Sequence, residues 1–461
     1  MASQILDKFF YPNSVALIGA TRTPGFGWGI PRLWKKYGWL ERAYLVNPKG
    51  GEILGKKVYT AISQLPWGID LAIVMVPAVR VKEVLLELAK KGIKAVIIES
   101  AGFAEIGERQ RQAELLQIAQ EYRMRLLGPN CVGVVNSENK FASIEVIDKA
   151  LELGNVGVIA QSGVFGNILL DHLPEQGIKI RKVATLGNKI DLDEADFLEY
   201  FATDFGIKVI MMYQEGVNEG RRFLKALSQA SREKPVVILK SGRTPLGKSA
   251  TLSHTASLSG EDQIYDGAYR QAGAIRADTL GELIALVKAF STQPKMKGRR
   301  VGIITTSGSL GAMCADAIYQ LGLELASWSK ITIEKLKKVA PNWINIKNPL
   351  DVGPSGIFSQ ALEAIFQDKG ADGYILIPVV PYGAVEPWKE LGMKAEQFFG
   401  NWNELRELCP DKPVVAVLVG YSEWLKEMQE LAGNKITCIE SVEQAVKCLW
   451  ALYKFKEYPE K

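Results

Sequence analysis

VGVIAQSGVFG, residues 156–166, packs a short apolar strand, a Gln-Ser-Gly turn and the start of a helix into eleven positions. The same event occurs in SVALIGATRTPGFGWG, residues 14–29, and in VGIITTSGSLG, residues 301–311. Apolar runs of this length, bounded by Gly, Ser and Thr, read as strands buried on both faces. Between them further runs (LAIVMV, KAVIIE, KVIMMY, PVVILK, GYILIPVV, PVVAVLV) alternate with helical patterns such as VKEVLLELAKKG and EADFLEYFATDFG. Strands alternating with helices predict parallel sheets joined by crossover helices. The chain is therefore expected to be an α/β protein of three units.

Length agrees, since 461 residues exceed what a single core usually serves. The expected domains span residues 1–130, 131–292 and 298–461, with STQPKMKGRR (291–300) as a polar linker into the third. A net charge of +5, spread over short alternations of sign with no long basic tract, argues against nucleic acid as partner. No apolar run approaches 18 residues and MASQILDKFF lacks the pattern of a signal peptide, so a cytoplasmic protein without membrane association is expected. The five cysteines form no CxxC pair and there are two isolated histidines, so reduced core thiols and no metal site are expected.

The candidate sites sit where strands end, the place at which open α/β sheets bind ligands. In the first unit these are the loop Ala20-Thr21-Arg22-Thr23, Lys49 in VNPKGG, Val76-Pro77 in VPA, and Ile98-Glu99 before Ser-Ala-Gly. Each alone reads as a turn; together they suit a nucleotide-like ligand. Ser162-Gly163 and Ser307-Gly308 stand at helix starts, where free backbone N–H groups and the helix dipole favour an anion, although a serine there also serves as an ordinary N-cap. SGRTPLGKSATLSHTASLSG (241–260) is ambiguous. Gly242 to Ser249 spells the GxxxxGK[ST] of a phosphate-binding loop, but ATLSHTASLSG is poor helix material and no later apolar strand ends in aspartate, so the loop lacks its expected context. The alternative is His254, set among small hydroxyl residues that leave room for a bulky adduct. Such an imidazole is either a structural loop residue or a nucleophile toward an acyl phosphate if a carboxylate orients it, and Glu215 in YQEGVNEG is the candidate carboxylate.

Taken in order, the motifs resemble a family. The glycine loop with NPKGG, VPA, SAGFAE and GPNCVGVVN is similar to the CoA-binding domain of the NDP-forming acyl-CoA synthetases, the family of succinyl-CoA synthetase. AQSGVFG, TLGNKIDLDEADFLEYF, YQEGVNEG and the 241–260 stretch resemble its phosphohistidine domain, and TTSGSLGAM with NPLDVGPSG resembles its flavodoxin-like ligase domain. The resemblance implies a Rossmann-like CoA-binding domain followed by two flavodoxin-like domains, in the order found in the α subunits of ADP-forming members. It implies that His254 is phosphorylated, that Glu215 steadies it, and that Ser162-Gly163 and Ser307-Gly308 cradle the phosphoryl group. Lys49 corresponds to the lysine near the CoA phosphates, and Ala20 to Thr23, Val76-Pro77 and Ile98-Glu99 fall on CoA-contacting segments. One departure is Ala256, where the family commonly carries glycine.

The activity so implied turns acyl-CoA (acetyl-CoA), ADP and phosphate into carboxylic acid, ATP and CoA through an acyl phosphate and a phosphohistidine. No segment resembling an ATP-grasp domain is recognised, so the resemblance implies a separate ATP-grasp β subunit in an α2β2 heterotetramer that binds ADP/ATP with Mg2+. The rival readings are a non-catalytic CoA-sensing or scaffold subunit and a P-loop NTPase.

Overall fold

The apolar runs form strands shut off from solvent: Val15–Ile18, Leu71–Val74, Ala95–Ile98 and Val156–Ala160 are buried at every position. In the computed structural model, which describes residues 2–255 and 260–457, the strands assemble into three large sheets and a two-stranded ribbon of Val379–Val380 with Val419–Gly420. The first has seven strands, in the spatial order Glu52–Ile53, Lys56–Tyr59, Ala43–Val46, Val15–Ile18, Leu71–Val74, Ala95–Ile98 and Arg125–Leu127. The second also has seven: Ile275–Ala277, Val236–Lys240, Val209–Gln214, Val156–Ala160, Ile180–Thr185, Val134–Asn136 and Phe141–Ala142. The third is built on Arg300–Thr305, Gly373–Ile377, Val414–Val417 and Thr437–Ile439.

Pairing is parallel through the middle of each sheet, as crossover helices demand. The antiparallel pairs lie at sheet edges. Val134–Asn136 and Phe141–Ala142 form a hairpin, and the former runs against Ile180–Thr185. Connections of a few residues suffice for antiparallel neighbours but not for parallel ones, so the GPNCVGVVN stretch ends in a hairpin rather than a crossover.

Helices cover the sheets through apolar stripes. Ala78–Lys90 buries Val81, Leu85, Leu88 and Ala89, one face of a helical repeat. Glu194–Thr203 begins with a capping box in which Asp193 and Asp196 each bond the other's backbone N–H.

The chain divides into two compact units, Met1–Leu283 and Ile284–Lys461. The first holds both seven-stranded sheets, and its aromatic-rich core draws Phe10, Trp34 and Phe141 together with Phe197 and Phe201. Ion pairs join the parts. Arg125, at the edge of the first sheet, forks onto Asp191 at 2.9 Å and reaches Asp196 at 3.4 Å, both of which follow the second sheet's Ile180–Thr185 strand. The second unit has its own core around Tyr374, Trp402 and Trp424. All five cysteines are buried thiols outside any disulfide. Among the described residues no helix is long and apolar enough to cross a membrane.

The structure corrects one expectation. Of ATLSHTASLSG (250–260), expected from composition to be poor helix material, residues 250–255 lie in the helix Pro245–Thr255, and residues 256–259 lie outside the described residues. Thr244 accepts the Gly247 N–H at 3.2 Å as an N-cap would, and proline suits the first helical position because its φ is preset and it lacks the N–H that would go unpaired. These two start signals outweigh the weak propensities of the Ser and Thr that follow.

Candidate functional site

Val74 and Ile98 are register partners on adjacent parallel strands, so the residues just beyond them emerge side by side at the carboxyl edge of the first sheet. There Val76 and Glu99 line a cavity of 380 Å³ that is also lined by Gln161, Ser162, Gly163 and Val164 from the second sheet's strand-to-helix junction. Asn130, Cys131 and Val132 of the connecting segment also line it, and Phe26 contributes from the glycine loop. Two sets of residues far apart in sequence thus share one space.

The Ser162 wall is a helix start. Ser162 caps Gly163–Glu175, its Oγ accepting the Phe165 N–H at 3.4 Å, and the backbone N–H groups of the first turn favour an anion. Gly163 lies close to the chain at 131–132: a methyl group there would stand 3.4 Å from Val132 N. The first sheet's edge contributes Glu99, which is 4% exposed and whose two carboxyl oxygens have no hydrogen-bond partner among the described residues. Burial pushes this carboxyl well above the ordinary range. A neutral carboxyl is both donor and acceptor, and it adds no negative charge to a space suited to an anion. Burial pushes the Cys131 thiol far up, which favours its protonated form.

Glu215 follows the strand Val209–Gln214 and is 1% exposed. Its N–H and that of Gly216 both donate to Gln161 Oε1, at 2.8 and 3.0 Å. The Tyr213 hydroxyl donates to Glu215 Oε1 at 3.2 Å. Behind the turn, Lys189 Nζ donates to the Gly216 carbonyl at 2.8 Å while paired with Glu194 at 3.0 Å, and this ion pair is almost wholly buried.

His254 lies in the helix Pro245–Thr255, which packs against the turn Ala104–Ile106 just past Gly102, on the first sheet's side of the unit. Its imidazole lies outside the described side chains, and Ala256 lies outside the described residues. The phosphate-loop reading of Gly242–Ser249 fails on geometry. The helix begins at Pro245, inside the motif, so the N–H groups of Gly247 and Lys248 are taken by Thr244 Oγ1 and Thr244 O. Lys248 Nζ is bonded to Glu261 at 2.7 Å.

The remaining residues fall in two places. Ala20 is buried under Asn47, whose Nδ2 donates to its carbonyl at 2.8 Å. Thr21 Oγ1 accepts the Thr23 N–H at 3.1 Å, and Arg22 reaches the Gly50 carbonyl at 3.1 Å, joining the glycine loop to the exposed turn that carries Lys49. Pro77 is exposed at the start of Ala78–Lys90, whereas the Ile98 side chain is closed within the core and offers a ligand only its backbone. Ser307 and Gly308 belong to the second unit and begin the helix Gly308–Gln320. A carboxylate stands at that helix start: a methyl at Gly308 would lie 2.7 Å from Asp351 Oδ2. Among the described residues no cluster of His, Cys, Asp or Glu could hold a metal ion. Sequence reasoning passed over Gln161 and Lys189, although both stand inside quoted motifs, AQSG and GNK.

Two layered α/β domains that line one cavity with strand ends and a helix start suit a nucleotide-like ligand, and the comparisons with known proteins give the class as CoA-binding ligases. Residues 13–137 match the family model of a CoA binding domain, and residues 153–290 that of the succinyl-CoA ligase like flavodoxin domain. The chain is 37% identical to the subunit alpha of acetate–CoA ligase (ADP-forming) II from Pyrococcus furiosus, covering 97% of each chain. It is 42% identical to acetate–CoA ligase (ADP-forming) II from Archaeoglobus fulgidus over 80% of this chain, and spans 56% of that longer relative. A solved structure of dinucleotide forming acetyl-coenzyme A synthetase 1 from Ca. Korarchaeum cryptofilum, in complex with phosphate and ADP, superposes with a TM-score of 0.85 at 28% identity, covering 98% of this chain and 97% of that one. The chain belongs to the family of ADP-forming acetate–CoA ligases.

Proposed function

We propose that this chain is the α component of an ADP-forming acyl-CoA synthetase, with CoA bound at the first sheet's carboxyl edge and phosphoryl transfer carried by His254. The carrying observation is the cavity that Val76 and Glu99 line together with the Ser162-Gly163 helix start. Thr21, Arg22 and Lys49 on the same sheet's loops suit the phosphates of CoA. In the reaction a phosphate oxygen attacks the thioester carbon, forming a C–O bond as the C–S bond breaks and CoA leaves as thiolate. An imidazole nitrogen of His254 then attacks phosphorus, the P–O bond to the acyl group breaks, and the carboxylate departs. Transfer to ADP regenerates the imidazole.

Helix N–H groups suit this chemistry because they stabilise a dianion with partial charges, and so bind it without a fixed cation that would hold it too firmly to leave. Glu215 serves as the carboxylate that orients the imidazole and stabilises its positive charge. The relatives named as subunit alpha support a partner subunit, which in this reading is an ATP-grasp subunit that holds ADP with Mg2+ in an α2β2 assembly. Ser307 and Gly308 of the second unit are the second helix start proposed to meet the phosphoryl group, there sharing the position with Asp351.

His254→Ala tests the reading in the complex with that partner. The variant is expected to keep CoA binding and to lose all acyl-CoA-dependent ATP formation and all acid-labile label from radiolabelled ATP. Turnover by the variant would overturn the assignment, and CoA binding by a wild type that never takes up label would favour the CoA-sensing reading.

A further inference from the structure

Gln161 belongs to two structures at once. It lines the cavity beside Ser162, and its Oε1 accepts the consecutive N–H groups of Glu215 and Gly216 at 2.8 and 3.0 Å. On the other side of the same turn, Lys189 Nζ donates to the Gly216 carbonyl at 2.8 Å and is anchored by Glu194 at 3.0 and 3.2 Å. Lys189 itself adopts a left-handed conformation, with φ of 54°, that a non-glycine residue takes only where its surroundings enforce it. Every one of these groups is buried, so each bond lost would leave a desolvated polar group without its partner. The turn bearing Glu215 is therefore clamped on its N–H side by Gln161 and on its C=O side by Lys189.

We propose that Gln161 is a positioning residue which, opposed by Lys189, fixes the Glu215–Gly216 turn and so links the helix-start wall of the cavity to the aim of the Glu215 carboxylate. The inference rests on the functional reading above, in which that carboxylate orients His254. A ligand that settles against Ser162 and Gly163 meets the neighbouring Gln161, whose side-chain oxygen holds the backbone that carries Glu215.

The test uses the chain with its ATP-grasp partner, acetyl-CoA and radiolabelled phosphate in the absence of ADP, and follows acid-labile label on the protein. Gln161→Ala is expected to slow labelling by about tenfold or more. Because Gln161 acts through Glu215, the double variant Gln161→Ala/Glu215→Ala should be no slower than Glu215→Ala alone. Multiplying slow-downs, or labelling of Gln161→Ala at the wild-type rate, would overturn the proposal. Hydrogen exchange keeps the clamp testable apart from activity: the amides of Glu215 and Gly216 should exchange about tenfold faster in Gln161→Ala, while Gln161→Glu, which keeps the accepting oxygen, should retain their protection. Unchanged exchange in Gln161→Ala sinks the clamp whatever the activity, whereas a wild type that takes up no label with its clamp intact condemns the functional reading instead.

Discussion

Glu99 is a carboxyl at the wall of a cavity, shut from solvent and without a hydrogen-bond partner among the described residues, and its protonation state has a measurable consequence. Burial raises its folded-state pKa well above the ordinary 4.5, so the folded protein binds this proton more tightly than the unfolded chain does. Its contribution to stability is complete below the unfolded value and is lost as pH rises towards the folded one, with a slope of about 1.4 kcal/mol per pH unit at most. Glu99→Gln keeps the shape and cannot ionise. The variant's advantage over wild type in urea unfolding is therefore expected to grow as pH rises above 5, and to be smallest near pH 4. A difference between the two proteins that stays constant with pH would show that Glu99 carries its charge when folded. At this scale the sequence revealed that Glu99 ends a strand, but not that it is orphaned, because orphaning depends on Cys131, Gln161 and Ser162 arriving from elsewhere in the chain. Gln161 was illegible for the same reason: an amide beside Ser-Gly looks like a turn residue until Glu215 and Gly216 are seen bonded to it.

Among the elements, the helix Pro245–Thr255 separates what a pattern can and cannot say. VGVIAQSGVFG and VGIITTSGSLG were readable as strand, turn and helix because their apolar runs are too short for a helix and are closed by Ser-Gly; they became Val156–Ala160 with Gly163–Glu175, and Arg300–Thr305 with Gly308–Gln320. PLGKSATLSHT has no such contrast, and its helix rests on Thr244, Pro245 and packing against Ala104–Ile106. The edge hairpin Val134–Asn136 to Phe141–Ala142 escaped notice for a related reason, since two and three residues are too few to show a period. The early helix start also decides the fate of GxxxxGKS. With the Gly247 and Lys248 amides taken by Thr244 and Lys248 Nζ paired to Glu261, the motif lacks the open cradle and the free lysine of a nucleotide loop. Lys248→Ala is accordingly expected to change the ADP affinity of the complex by less than about tenfold, or ~1.4 kcal/mol, in calorimetry. A larger loss would restore the nucleotide reading that the geometry sets aside.

For the whole molecule, what matters is which of the two units a ligand touches. The cavity, the Arg22–Gly50 contact, Lys49, Glu215 and the His254 helix all belong to Met1–Leu283, while Ser307 and Gly308 belong to Ile284–Lys461. Each unit has a core of its own, the first around Phe10, Trp34 and Phe197, the second around Tyr374, Trp402 and Trp424. A ligand that binds only the folded form of one unit stabilises that unit by mass action, by about 2.7 kcal/mol at a hundred times its Kd. If CoA binds at the first sheet's carboxyl edge, its addition to the chain should slow hydrogen exchange in Val15–Ile18, Leu71–Val74 and Ala95–Ile98, whose ends carry the proposed ligand contacts. Amides of Arg300–Thr305 and Gly373–Ile377, in the middle of the third sheet, should keep their rates. Phosphate at millimolar concentration should act more narrowly, on the first turn of Gly163–Glu175 and on the 215–216 amides, because its proposed contacts are one helix start and the residue behind it. Equal protection of both units by CoA, or protection confined to the second, would mean that the cavity beside Glu99 is not where the coenzyme binds.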